Sequence, residues 1–404
     1  RGVAGIVTEH GGPHSHTAIL ASSLGIPAVL GVREARRLLR EDSTIIVDGG
    51  LGAVFADPDS ARLQRYQEIQ REAERFRLSL IALRDQPAVS LDGVEISLQA
   101  NAERPAELIQ SVEVGSQGIG LYRTEFLYLQ GRPPDEESQL EEYLSAIQTL
   151  AGKPLTIRTL DLGADKSTGV LDFSQLRRSV NPALGLRAIR LCLSDTALFK
   201  TQLRAILRAS HAGPVRCLIP MVTSVREVQL VKELVEEAKQ DLDKRKLPYD
   251  ANIPLGAMIE VPAAALSLGD LGRYLDFVSI GTNDLLQYTL AVDRGDEQVA
   301  HLYDLQHPGV VRLIKHILKV ARTLEIPASV CGEVAGESRY TQLLLALGLK
   351  EFSMHPARLL EVKQVVRKTN ISAAKVAINQ WLDDPGGQDD PTLLEILDRS
   401  QINP

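Results

Sequence analysis

Residues 11–29 read GGPHSHTAILASSLGIPAV, with two histidines where a glycine- and proline-rich turn gives way to an apolar, helix-like run. Ser15 is a good N-cap, Ala18, Ile19, Leu20, Ala21 and Leu24 can form one buried stripe, and Gly25 followed by Pro27 reads as a stop. That pattern sets His16 in the first helical turn, where free backbone N–H groups and the positive end of the helix dipole favour an anion. An imidazole there can carry a phosphoryl group, or it can be a plain surface or capping histidine. A metal site built from His10, His14 and His16 is the weaker reading, because no cysteine or carboxylate cluster completes the ligand set.

A second group of residues lies far along the chain. Arg123, Arg158, Arg187 and Arg294 are cations attached to apolar or glycine-rich segments. Each alone can be half of a structural ion pair; together they form an anion site, since a planar guanidinium grips phosphate or carboxylate with two parallel hydrogen bonds. Glu260, in MIEVP, and Asp284, in GTND, put carboxylates at the ends of two neighbouring predicted strands. Two carboxylates beside a phosphate suit Mg²⁺, which takes oxygen ligands and keeps substrate oxygens and water in its shell; each could also be a helix cap or turn residue. Cys192 and Cys217 read as small buried hydrophobes, whereas Cys331 stands at a strand end beside Gly332 and Glu333. A thiol with an ordinary pKa is mostly protonated at neutral pH and can donate a proton as well as attack.

These residues need elements to bring them together. From residue 89 onward strand-like segments alternate with helical ones: 94–101, 118–126, 155–163, 216–222, 255–262, 277–284 and 328–333, with NPALGLRAIR (181–190) supplying or following another. Alternation over that length predicts a parallel sheet, either a (β/α)8 TIM-type barrel or a doubly wound sheet. The barrel is favoured because Arg123, Arg158, Glu260, Asp284 and Cys331 all fall near the C-terminal ends of predicted strands, which a barrel gathers on one face. Ahead of it, residues 1–57 alternate short strands with turns as a partial α/β unit, and residues 58–88 read as a charged helical connector free of glycine in its body. The expected division is therefore 1–57, 58–88 and 89–404.

Composition narrows the class. The chain has 404 residues, 44% hydrophobic and 24% charged, with a net charge of −7, so no basic excess points to nucleic acid. No apolar run is long enough for a membrane span. Three widely spaced cysteines fit a reducing cytoplasm better than a disulfide framework. No signal peptide opens the sequence, which starts at Arg1 and reads as a piece of a longer protein.

Seven stretches occur in a fixed order: GGPHSHTAILA, GIGLYRTEFLYL, TIRTLDLGADK, NPALGLRAIR, AMIEVPAA, FVSIGTNDLLQYTLAVDRGD and VCGEVAGE. In this the chain resembles enzyme I, the phosphoenolpyruvate–protein phosphotransferase family of the bacterial sugar phosphotransferase system, from residue 1 to about 370. The resemblance implies that His16, in a phosphohistidine domain, takes the phosphoryl group of phosphoenolpyruvate, and that Cys331 protonates the enolate to give pyruvate. It implies Mg²⁺ on Glu260 and Asp284. Arg123, Arg158, Asn283, Asp284 and Arg294 would bind phosphoenolpyruvate, with Arg187 and Lys166 as further members. A homodimer formed through the barrel and a histidine phosphocarrier of the HPr type are implied too, the carrier's docking subdomain being expected before residue 1. Two positions depart from the family: His14 stands where Thr is usual, and Ser22 where Arg is frequent, both close to His16. Two alternatives share the architecture. A dikinase or synthase would need a nucleotide-binding domain ahead of residue 1, and a non-catalytic regulatory paralogue would have lost His16, Cys331 or a carboxylate, all of which are present.

Overall fold

The computed structural model describes residues 3–11, 17, 21, 26–129, 133–162, 181–296, 298–383 and 393–402. It divides into two compact units, Arg1–Leu83 and Arg84–Pro404.

In the first unit, among the described residues, β1 (Ile6–Val7) and β2 (Ala28–Val29) pair in parallel, and β3 (Ile45–Asp48) and β4 (Ala53–Ala56) form an antiparallel hairpin. Asp48 shapes the hairpin turn: its Oδ1 accepts the N–H groups of Gly50 and Leu51 at 3.0 and 2.9 Å. The long helix Ser60–Ile81 starts where Asp59 accepts the N–H of Arg62 at 2.7 Å. It buries none of its residues, as its charged sequence predicts. Its first turns are nonetheless fastened to the hairpin, since Tyr66 donates to Asp48 Oδ2 at 2.9 Å and packs its ring on Phe55.

The second unit is a closed barrel of eight parallel strands: β5 (Ser97–Ala102), β6 (Ile119–Tyr122), β7 (Leu155–Arg158), β8 (Val215–Ile219), β9 (Leu255–Ile259), β10 (Phe277–Ile280), β11 (Ala328–Val330) and β12 (Glu351–Met354). Each strand pairs with the next in sequence and β12 pairs with β5, so the doubly wound alternative does not apply. The eighth strand is a correction. NPALGLRAIR does not supply it: that stretch forms the short turn Pro182–Leu184 and then the helix Ala188–Ser194. The strand is instead Glu351–Met354. It is only four residues long and follows the apolar helix Ser338–Leu347, so no change of period marks it in the sequence.

Alternation along each strand decides what faces the lumen. Residues such as Leu155 and Ile157 are buried outward under the helices, whereas their neighbours Thr156 and Arg158 point in. The lower lumen is polar. Arg216 Nε donates to Thr156 Oγ1 at 3.1 Å, its Nη2 to Gln99 Oε1 at 3.3 Å, and its guanidinium lies 5.0 Å over the Phe277 ring. Gly256 makes that stacking possible, because a Cβ there would come within 2.5 Å of the ring. Above it, Leu121, Leu218, Met258, Phe277 and Cys331 form a small apolar plug separate from the main core. The outer helices are also linked by charge: Glu136 receives Arg204, Arg208 and Arg245 from two other helices. Among the described residues no helix is long and apolar enough to cross a membrane.

Candidate active site

The period-two pattern that fills the lumen also delivers its uppermost layer. Thr156 is followed two residues on by Arg158, Met258 by Glu260, and Ser329 by Cys331, so each strand ends by aiming a functional group at the C-terminal mouth. The segments after the strands add Asp161 from a loop, Arg187 from the cap of the helix Ala188–Ser194, and Asn283 and Asp284 from the first turn of the helix Thr282–Leu290.

Arg158 and Arg187 are the centre of the cluster. Arg158 Nη2 lies 2.9 Å from Glu125 Oε1, and its Nη1 lies 3.0 Å from Asp161 Oδ2. Arg187 Nη2 is shared between Asp161 Oδ1 at 2.8 Å and Asp284 Oδ2 at 3.2 Å. Its Nη1 donates to the Tyr288 hydroxyl, which in turn donates to the carbonyl of Ala183 at 2.6 Å. Burial disfavours both guanidinium charges, but the carboxylates around them outweigh it and hold both residues above their ordinary pKa. Arg158 Nε is buried with no hydrogen-bond partner among the described residues, a donor available to an anion.

Glu260 is only 3% exposed. Its Oε1 accepts the N–H of Met221 at 2.6 Å, and Met221 adopts a left-handed φ of 58° at that contact. Burial, and then the charges of Asp161 and Asp284, push the Glu260 carboxyl up to about 8, against the opposing pull of Arg158. The charges of Asp161 and Asp284 thus bear on the buried Glu260, a condition that a cation relieves. Among the described residues no group of three or more His, Cys, Asp or Glu side chains forms a metal-ligand set.

Cys331 is buried, with its Sγ 3.7 Å from the carbonyl of Ile280 and its own carbonyl accepting Asn101 Nδ2 at 2.9 Å. Burial pushes its thiol up to about 11; the Ser279 hydroxyl opposes the rise, Glu260 adds to it, and Arg158 and Arg123 oppose it. The backbone at Gly332 is closely packed, since a Cβ there would lie 1.8 Å from Thr282 Oγ1. On the rim, Asn283 and Arg294 both reach Glu333 Oε1, at 3.2 and 3.3 Å. Arg123 is a looser member, 3.7 Å from Glu103 Oε2.

Of the residues singled out in the sequence, Arg158, Arg187, Glu260, Asp284 and Cys331 are brought together through shared ion pairs and mutual fields, with Arg123, Asn283 and Arg294 around them. His16 and Lys166 lie outside the described residues, as do His14 and Ser22. Sequence reasoning missed Glu125, Asp161 and Tyr288. A buried arginine requires a carboxylate, and Asp161 three residues after Arg158 and Glu125 two after Arg123 were the nearest acids to look for. Chemically, the arrangement offers cations with donors to spare, carboxylates that would accept a metal ion, and a thiol held protonated beside them.

Comparison with known proteins adds a further finding. The sequence family described as PEP-utilising enzyme, PEP-binding domain matches residues 79–371, and that described as PEP-utilising enzyme, mobile domain matches residues 1–52. A protein of Cupriavidus necator named phosphoenolpyruvate-protein phosphotransferase is 47% identical over 380 residues, which are 94% of this chain and 65% of that protein. One of the same name from Haemophilus influenzae is 38% identical over 394 residues, 97% of this chain and 68% of its own. The chain thus spans about two thirds of the length of these relatives. Among solved structures, a citrate lyase from Burkholderia xenovorans covers 78% of this chain and 95% of its own at 14% identity, with a TM-score of 0.44, too distant to bear on the site.

Proposed function

The chain belongs to the PEP-utilising enzyme family, and on that premise we propose that it moves the phosphoryl group of phosphoenolpyruvate to His16, releasing pyruvate, and passes it on to a histidine phosphocarrier of the HPr type. The reading rests on one observation above the others: Arg158, Arg187, Glu260, Asp284 and Cys331 converge at the mouth of one barrel. Phosphoenolpyruvate carries a phosphate and a carboxylate, which several guanidiniums and Asn283 suit. Transfer of a phosphoryl group asks for positioning and charge neutralisation more than covalent help.

In this reading Arg158 and Arg187 neutralise the ligand's anionic groups, with Arg123 and Arg294 on the rim and Lys166 as a further cation. Glu260 and Asp284 would hold Mg²⁺, which supplies charge stabilisation on the phosphate oxygens when bound. A ring nitrogen of neutral His16 attacks phosphorus in line. The P–O bond to the enolate breaks, and its electron pair stays on the enolate oxygen. As the ketone forms, carbon takes the proton of the Cys331 thiol, giving pyruvate, and the thiolate regains a proton from solvent. A thiol pushed up to about 11 keeps its proton near pH 7, which suits an acid. Residues 1–57 carry His16 between donor and carrier, with 58–88 as the connecting arm, a hinge-type movement. A homodimer formed through the barrel and residence in the cytoplasm complete the proposal.

The test uses the whole chain incubated with labelled phosphoenolpyruvate and Mg²⁺, with acid-labile, base-stable label located by mass spectrometry. Label is expected on His16 and lost in His16→Ala. Label that stays in that variant, on His14, sinks the assignment.

A further inference from the structure

The face of the barrel opposite the candidate active site has a hollow of about 320 Å³. It lies below the N-terminal ends of β5 and β12, where Val94 and Lys350 stand a few residues or one residue before their strands. Arg322 enters it from the last turn of the helix Pro308–Thr323, and Ile371 and Lys375 from the start of the helix Ile371–Asp383. Leu345, from the helix Ser338–Leu347, completes an apolar wall. The volume is at the lower end of the roughly 300–1,000 Å³ of small-molecule pockets.

The charge in this hollow is uneven. Among the described residues three cations line it and no Asp or Glu does, on a chain whose net charge is −7. Elsewhere the second unit's cations are heavily paired, with Glu136 alone receiving three arginines. The side chains of Arg322, Lys350 and Lys375 form no ion pair or hydrogen bond with any described residue. Arg322 is also held against the wall by the absence of a side chain. Its Nη2 lies where a Cβ on Gly348 would be only 2.6 Å away, and Gly348 has the positive φ of 101° that ends the preceding helix.

From this juxtaposition we propose that the hollow is a second ligand site, for a small organic dianion with an apolar body, such as a phosphate monoester or dicarboxylate on a ring or branched chain. A bare inorganic anion would satisfy the cations and leave the half-buried Val94 and Ile371 wet; a neutral apolar molecule would do the reverse. Converging like charges concentrate counter-ions and select sign, while the wall selects shape. The site is on the far side of the barrel from the mouth that phosphoenolpyruvate is proposed to occupy, so the two ligands need not compete.

Phenyl phosphate is the probe. The whole chain, with Ile, Leu and Val methyls labelled, is titrated by NMR with phosphoenolpyruvate absent and then saturating. Saturable shifts are expected at the methyls of Val94, Leu345 and Ile371, unchanged by phosphoenolpyruvate. Inorganic phosphate and phenol, each with half the proposed chemistry, should bind at least about tenfold more weakly, the equivalent of one lost charge-assisted contact. The combined variant Arg322→Gln, Lys350→Gln, Lys375→Gln changes exposed side chains and should abolish the shifts while leaving phosphoenolpyruvate binding intact. The proposal is overturned if no saturable shift appears into the millimolar range, if phosphoenolpyruvate displaces the probe from these methyls, or if the triple variant responds like the parent.

Discussion

Asn283 and Glu333 hold each other twice across the barrel mouth: Asn283 Nδ2 donates to Glu333 Oε1 at 3.2 Å, and the backbone N–H of Glu333 donates to Asn283 Oδ1 at 2.9 Å. The pair links the start of the helix after β10 to the turn after β11, and Glu333 in turn receives Arg294. One residue proposed to touch the ligand therefore also holds the carboxylate that Arg294 reaches.

Asn283→Ala removes both hydrogen bonds and is expected to weaken phosphoenolpyruvate binding by about 10–100-fold, the effect of losing roughly 1.5–3 kcal/mol of charge-assisted hydrogen bonding. Both hydrogen bonds are exposed, so the melting temperature should stay close to that of the parent. Calorimetric titration beside a thermal melt separates the two effects. A large drop in melting temperature with little change in affinity would make the pair a structural latch instead.

Cys331 gives a pH signature. Its folded pKa is raised to about 11 by burial, above the ordinary value of 9.0, so the folded chain keeps a proton that the unfolded chain releases. The stability tied to this thiol is full below pH 9 and falls as pH rises toward 11, by about 2–3 kcal/mol for a shift of that size. Urea unfolding followed from pH 8 to 11 should show a flatter loss in Cys331→Ala than in the parent. Iodoacetamide at pH 8.5 should label Cys331 slowly in the folded chain and quickly in urea; equal rates would contradict a buried, protonated thiol.

Glu136 is a stability residue with no part in the proposed chemistry. Burial works against its charge, but hydrogen bonds from Arg245, Arg204 and Arg208 prevail and pull its carboxyl down to about 2. Its contribution is present above the ordinary value of 4.5 and is lost as pH falls through about 2. Glu136→Ala leaves the partly buried Arg204 and Arg208, and the exposed Arg245, short of a partner and is expected to cost about 2–4 kcal/mol in chemical denaturation. Phosphoenolpyruvate binding should not change. A cost below about 0.5 kcal/mol, typical of a surface substitution, would show that the arginines simply re-pair with Glu137 and Asp241.

The barrel was legible because its strands end in chemically conspicuous residues. Arg158, Glu260, Asp284 and Cys331 stood out as charges or thiols at the ends of apolar runs, and a barrel is the architecture that gathers such ends. Strand lengths were less legible. The segments read as 155–163 and 277–284 are strands only over Leu155–Arg158 and Phe277–Ile280, since the loop that carries Asp161 and the helix Thr282–Leu290 that carries Asn283 and Asp284 begin just beyond, and no local signal separates them. Glu351–Met354 was invisible for a different reason: its place in the sheet comes from pairing with Ser97–Ala100, not from its own four residues. Partners were the least legible of all. Asp161 lies three residues from Arg158, but Glu125 meets it only once two strands are side by side, and that is a property of tertiary structure.

The same long-range pairing governs how the protein is made. Ser353 bonds to Asn101, 252 residues away, and β12 is the last strand to leave the ribosome. At synthesis rates of roughly 5–20 residues per second, about 13–50 s pass between emergence of the first stave and of the one that closes on it. Over that interval β5 and the newest strand both present unpaired edges, the state in which sheets pick up wrong partners. Closure must also draw together ends separated by a long loop, an entropic cost that the seven earlier strands reduce by arranging themselves in sequence order. Nascent chains arrested before residue 351 should therefore be the aggregation-prone species, and those arrested well beyond Met354 should resist protease as a closed unit.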